Sequence, residues 1–156
     1  MKIRKAKLSE AIKALRLAKE ADERFEPYDI KWMKHNLKNK GRVFLVAEDK
    51  GKFVGYVGLA KKDSDERVKK KLDIDKKAVV MWIGVLKEYR NKKVGSKLLK
   101  ACEQQAKKWK KEGIWLDCRK EVLPFYKSNG YKVVAHFTKI IRNKPRRKYV
   151  LLKSLK

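Results

Sequence analysis

The chain is poor in cysteine, histidine, proline and glycine, with two, two, three and eight of them in 156 residues. Two cysteines, Cys102 and Cys118, are too few for a disulfide scaffold and read as small reduced core residues of a cytoplasmic protein. His35 and His136 complete no zinc spacing with them, so no metal is expected. Long hydrophobic runs are missing as well. The longest, Ala78 to Val85, falls far short of the roughly 20 residues that cross a bilayer, which excludes a membrane helix. Met1 to Leu8 carries charge with no apolar stretch behind it, so no secretory signal is expected. Repeats and low-complexity segments are absent too.

Acid is the largest deficit. Asp and Glu number 18 against 45 Lys and Arg, a formal charge of +27, which predicts salt-sensitive adhesion to nucleic acid or to an acidic partner through a basic surface. The cations run from Lys2 to Lys156 without forming one tail, so a solvated lysine surface accounts for most of them. A single threonine, Thr138, and two glutamines beside so much lysine hint at a heat-loving source.

What is present suffices for a core: 43% hydrophobic and 10% aromatic residues, in a length typical of one domain over 1–156. Lys2 to Lys5 reads as an edge strand. A helix follows from Leu8-Ser9-Glu10, with Ser9 as N-cap and Ile12, Leu15 and Ala18 on its apolar side. The peptide 25–29 breaks it, and a second helix over 30–37 ends at Asn39-Lys40-Gly41. Strands over 42–48 and 53–60 flank Asp49-Lys50-Gly51-Lys52 as a hairpin. Residues 61–77 read as a charged linker or marginal helix, and Ala78 to Val85 as a central strand covered on both faces. The helix from Val94 to Lys111 carries Val94, Leu98, Cys102, Ala106 and Trp109 on one stripe. Ile114 to Cys118 then runs parallel to the central strand, by the crossover rule. A short helix over 121–129 and strands over 131–141 and 147–155 close the chain. The expected class is α/β of the mixed α+β kind, a mixed and mostly antiparallel sheet of about six to seven strands flanked by about four helices.

One stretch organises the rest. The strand ending at Ile83-Gly84-Val85 leads through Leu86-Lys87-Glu88-Tyr89-Arg90-Asn91-Lys92-Lys93 into the helix opened by Val94-Gly95-Ser96. A helix start offers unpaired N–H groups and the positive end of the macrodipole, and with Arg90, Lys92 and Lys93 beside it this place should hold an anion, phosphate above all.

This stretch resembles the coenzyme-binding motif of the GNAT acyltransferase superfamily, in which Arg or Gln is followed after two residues by Gly, then one residue, then Gly or Ala. Arg90 and Gly95 match, while Lys93 stands where the pattern prefers Gly. A second segment, Leu123-Pro124-Phe125-Tyr126-Lys127-Ser128-Asn129-Gly130-Tyr131, resembles the family's Phe-Tyr, three residues, Gly-Phe signature. The resemblance implies a single domain that transfers acetyl from acetyl-coenzyme A, with no metal, to an amine on a small molecule or protein, as a monomer or homodimer. It implies that Ile83, Val85 and the run from Arg90, Asn91, Lys92 and Lys93 through Val94, Gly95 and Ser96 bind the coenzyme, and that Tyr126 protonates the departing thiolate. Arg119 occupies a position where the family often has Asn. The break between the first helices, here Phe25, Glu26, Tyr28 and Asp29, commonly lines the acceptor site. No acid stands on the 78–84 strand, so the base is unassigned among Glu26, Asp29, Asp75, Asp117 and a water. The alternative function is a non-catalytic basic module of the same fold that binds nucleic acid or the ribosome.

Overall fold

The computed structural model describes residues 1–22, 29–62 and 73–156. Their elements are β1 (Lys2–Lys5), α1 (Ala11–Ala21), α2 (Ile30–Lys38), β2 (Arg42–Asp49), β3 (Lys52–Ala60), β4 (Lys77–Val85), α3 (Val94–Lys108), β5 (Gly113–Cys118), α4 (Leu123–Ser128), β6 (Lys132–Ile141) and β7 (Lys144–Ser154). Hydrogen-bonded neighbours run β1-β2-β3-β4-β5-β7-β6. β4 and β5 are parallel, as the crossover through α3 requires, whereas β1 with β2, β2 with β3, β5 with β7 and β6 with β7 are antiparallel. The expected mixed sheet with four helices is therefore present. The chain packs as two compact units, residues 1–60 with 80–104, and residues 61–79 with 105–156.

In the first unit, β2 and β3 turn through Lys50 and Gly51, both at positive φ (50° and 82°), a two-residue hairpin whose twist suits the flanking strands. The buried face of α1 consists of Ala11, Ala14, Leu17, Ala18 and Ala21. Ile12, expected on that face, is exposed, because the helix begins at Ala11 and its phase is shifted. Ser9 does not cap it. The chain entry is held instead by Glu10, whose carboxylate accepts the Lys7 N–H at 2.9 Å and pairs with Arg4 at 2.7 Å, while Arg4 Nε reaches Glu48 at 2.7 Å. Glu10 thus closes the turn ahead of the helix, and among the described residues no side chain caps the first N–H groups of α1. β3 is buried from Phe53 to Ala60. On β4, only Ala78–Val80 are buried and Met81–Val85 are half-buried, so the expectation of cover on both faces fails for the last five residues. An apolar run records hydrophobicity, not what will lie against it.

In the second unit, β7 lies between β5 and β6, and Ile114, Trp115, Leu116, Val150 and Leu151 are buried. The β6–β7 turn is Arg142-Asn143, again with both φ positive (51° and 63°), so β7 starts at Lys144 and not at Arg147, with Pro145 paired to Ile140. α3 stops at Lys108, three residues earlier than expected, because Lys110 turns left-handed (φ 61°) and the Lys111 N–H reaches back to the Ala106 carbonyl at 3.0 Å. The expected linker falls partly on residues 63–72, outside the described residues, and ends in a short turn over Ile74–Lys76. Among the described residues, no helix is long and apolar enough to cross a membrane.

Candidate active site

The turn is built on the first unit, and glycine decides how closely its parts approach. A Cβ on Gly55 of β3 would meet Val94 Cγ1 at 3.0 Å, Leu98 Cδ1 at 3.2 Å and the Gly84 carbonyl oxygen at 3.3 Å. Only a residue without a side chain lets the first turn of α3 settle onto β3 at the level of Gly84, so the start of α3 is fixed beside the end of β4. Val94, Leu98 and Leu99 are buried and anchor that turn.

Between strand end and helix the chain is tied at several points. The Leu86 N–H donates to the Val54 carbonyl at 2.9 Å, and Tyr89 N–H returns to the Leu86 carbonyl at 2.8 Å. The Tyr89 hydroxyl donates to Asp49 at 3.2 Å, and partial burial, followed by that carboxylate, raises its pKa. Arg90 Nε donates to the Val85 carbonyl at 3.1 Å and an Nη to the Ala21 carbonyl at 3.2 Å, which fastens the β4 end to the C-terminus of α1. Arg90 thus spends two of its donors on the scaffold and keeps the others on an exposed surface.

Asn91 (φ 65°) and Lys93 (φ 63°) are both left-handed. Lys93 therefore adopts the backbone that glycine adopts most easily, at a cost of about 1 kcal/mol. Its carbonyl accepts the Lys97 N–H at 3.1 Å, opening α3. The N–H groups ahead of that bond have no intrahelical partner. The positive end of the macrodipole of a 15-residue helix and the exposed Lys92 and Lys93 lie beside them. Lys92 Nζ lies 5.3 Å from the Tyr89 ring centre. Val94 is buried, and Gly95 and Ser96 are half-buried on the first turn; Ile83 and Val85 lie on the half-buried stretch of β4.

Sequence reading missed how that stretch is seated. Trp82 lies over Gly58, where a Cβ would stand 2.3 Å from its Cε3, and Tyr56 lies over Gly84, where a Cβ would stand 2.5 Å from its Cε1. Trp32 of α2 meets Trp82 edge-on at 4.9 Å, and the Arg42 guanidinium, held by Asn36 at 2.6 Å, sits 5.9 Å from the Trp82 ring. The signal available in the sequence was glycine inside apolar strands, which marks close approach.

Tyr126 belongs to the second unit. Pro124 sits at the start of α4, where its missing N–H costs nothing, and Gly130 (φ 90°) ends the segment. The Tyr126 carbonyl accepts the N–H groups of Asn129 and Tyr131 at 3.0 and 3.1 Å, and Lys153 Nζ caps the Asn129 carbonyl at 2.9 Å. Tyr126 is buried, edge-on to Phe125 at 5.0 Å and Tyr131 at 6.0 Å. Arg119 is exposed 3.9 Å from Glu121, a surface pair of little energetic weight.

Of the expected acceptor residues, Phe25, Glu26 and Tyr28 lie outside the described residues. Asp29 caps α2, accepting the Trp32 N–H at 2.9 Å. Among the remaining candidates for base, Asp75 is exposed and Asp117 half-buried. Cys102 and Cys118 are buried and unbridged; burial raises both thiols, that of Cys118 to about 11, so neither is a nucleophile at neutral pH. No group of three or more metal-ligating side chains occurs among the described residues.

A strand that ends in a left-handed turn before an open helix start, with the next strand parallel to it, is an arrangement that many phosphate-binding folds share. The model of the acetyltransferase (GNAT) family matches residues 9–131, and the chain belongs to that family. No curated protein matches it in sequence. Its fold is similar to that of the ribosomal-protein-S18-alanine N-acetyltransferase from Escherichia coli (TM-score 0.77, 14% identity, covering 99% of this chain and 93% of that one). It is also similar to that of an aminoglycoside 6'-N-acetyltransferase complexed with coenzyme A (0.79, 13%, 100% and 98%) and of a Streptococcus mutans UA159 protein (0.80, 18%, 100% of both). The protein is an acetyltransferase with acetyl-coenzyme A as donor. The turn fits that donor: two left-handed residues present backbone N–H groups beside two exposed lysines.

Proposed function

We propose that this protein is an N-acetyltransferase, one domain over 1–156, acting in the cytoplasm on an amine that attacks the acetyl group directly, with Tyr126 as general acid. The observation that carries the reading is the start of α3 held over β4 by Gly55, with Lys93 bent left-handed where the family's turn has glycine. The N–H groups of 91–96, with Lys92, Lys93 and the outward donors of Arg90, would hold the pyrophosphate, and Arg119 would reach toward the coenzyme arm. Backbone groups of Ile83 and Val85 would hold the pantetheine amides, and the Val85 N–H would face the carbonyl oxygen where negative charge develops. Acetyl-coenzyme A supplies an acyl group on a thiol, which departs as thiolate. The Tyr126 hydroxyl gives up its proton there; a phenol of ordinary pKa about 10 suffices for a thiolate whose own value is about 8.5.

The acceptor binds beside the first-helix break, with Glu26 and Asp29 suiting a cationic amine. The group that takes the amine proton is unassigned among Glu26, Asp29, Asp75, Asp117 and a water. Tyr126→Phe should lower kcat by about a hundredfold, the usual range for a lost acid, with the KM for acetyl-coenzyme A unchanged. Gly95→Trp should abolish the rise in Tm that coenzyme A produces. An unchanged kcat in the first variant removes Tyr126 from the chemistry, and an undiminished Tm shift in the second removes the turn from donor binding.

A further inference from the structure

From Val122 to Lys156 the chain contains no Asp or Glu. Its outermost part is the β6–β7 ribbon, the edge of the sheet in the second unit. Between 139 and 148 this ribbon carries Lys139, Arg142, Lys144, Arg146, Arg147 and Lys148. The register pairs Lys139 with Arg146 across the strands, so two cations face each other there instead of a cation and an acid. Like charges in direct register destabilise a hairpin, so the fold tolerates an unfavourable arrangement here.

Four of the other arginines differ, while Arg16 on α1 is likewise exposed. Arg4 serves Glu10 and Glu48, Arg42 serves Asn36, Arg90 serves two carbonyls and Arg119 lies beside Glu121. Arg142, Arg146 and Arg147 are exposed, and their side chains make no ion pair or hydrogen bond among the described residues. Three guanidinium forks fall within six positions, Arg146 and Arg147 on opposite faces of the ribbon, and a guanidinium meets phosphate oxygens bidentately as a lysine does not. The tip, Arg142-Asn143, has no apolar residue, and Ile140 near it, 66% exposed, is a single aliphatic side chain, too little apolar surface to anchor the ribbon in a lipid layer.

We propose that the β6–β7 ribbon is a docking surface for the phosphodiester backbone of a nucleic acid. Each phosphate it neutralises releases counterions, so affinity falls with salt by a slope of about 0.7–0.9 per contact. The cations away from the ribbon add a diffuse field that the ribbon focuses.

The test titrates the full chain with a labelled single-stranded RNA, a labelled DNA duplex, polyglutamate and phosphatidylserine vesicles over a series of KCl concentrations. One of the two nucleic acids should bind tighter than polyglutamate or vesicles, and comparing them identifies the source. R142A/R146A/R147A should weaken that binding at least about tenfold and lower the salt slope by about 2–3, with the Tm and the acetylation of a small amine unchanged. R142K/R146K/R147K should keep the slope, which guards against a folding defect in the alanine variant. K100A/K107A/K108A on α3 removes the same charge and should cost less than about threefold. Equal losses in the two alanine variants, or tighter binding to polyglutamate or to vesicles, would overturn the proposal.

Discussion

Adding one methyl group to Gly84 tests how β4 is held. Its Cβ would stand 2.5 Å from Tyr56 Cε1, 3.0 Å from Cζ and 3.1 Å from the hydroxyl oxygen. Tyr56 has no exposed surface and is stacked on Phe44 at 5.5 Å and 8°, so the ring cannot retreat without displacing a second ring. Overpacking of this kind costs about 1–3 kcal/mol. At about 2–4 °C per kcal/mol for a domain of this size, Gly84→Ala should lower the Tm by about 2–12 °C. Because Ile83 and Val85 flank the position, the strand shift should also raise the dissociation constant for coenzyme A. Thermal scans with and without coenzyme A read both effects. A second variant, Tyr56→Leu, is destabilising alone, but the pair Gly84→Ala/Tyr56→Leu should lose less than the sum, with a coupling of at least about 1 kcal/mol. A Tm within about 1 °C of the parent for Gly84→Ala, or strict additivity in the pair, would refute the packing account.

Lys93→Gly relieves a left-handed side chain worth about 1 kcal/mol while adding about 0.4–1 kcal/mol of unfolded-chain entropy, so urea midpoints should barely move. Loss of the exposed cation should weaken coenzyme A binding by a few-fold, the scale of an exposed ion pair, and a tenfold gain in affinity would instead mean that the lysine obstructs the turn. Glu10 is held by its hydrogen bond to Arg4 at about 2, below the usual 4.5, so its ionised form stabilises the fold above pH 4.5 and that contribution is lost as pH falls toward 2. Glu10→Gln should flatten the fall of urea midpoint across that window, and an unchanged profile would remove the Arg4 contact as its cause.

Element order was readable because the chain states it locally. The Lys50-Gly51 turn, the apolar stripe of α3 and the parallel placement of β5 follow from turn chemistry, period and handedness, none of which needs a distant neighbour. Errors fell where a distant group decided. The Arg4 contact to Glu48 joins β1 to β2, 44 residues apart, and Glu10, not Ser9, meets the same arginine ahead of α1. The motif gives Arg90 its place at the turn, while its tie to the Ala21 carbonyl joins residues 69 apart in sequence and is seen only in the fold.

The glycines carry the same lesson further. Gly55, Gly58 and Gly84 weaken a strand by propensity. In the structure each is a seat, Gly55 for the first turn of α3, Gly58 for Trp82 and Gly84 for Tyr56. Period-two alternation says which face a residue takes, yet not which ring from the next strand will lie over it. The half-buried end of β4 therefore depends on large residues of one strand meeting gaps in the other, and a methyl at Gly58 or Gly84 should disturb it more than the loss of any one surface lysine.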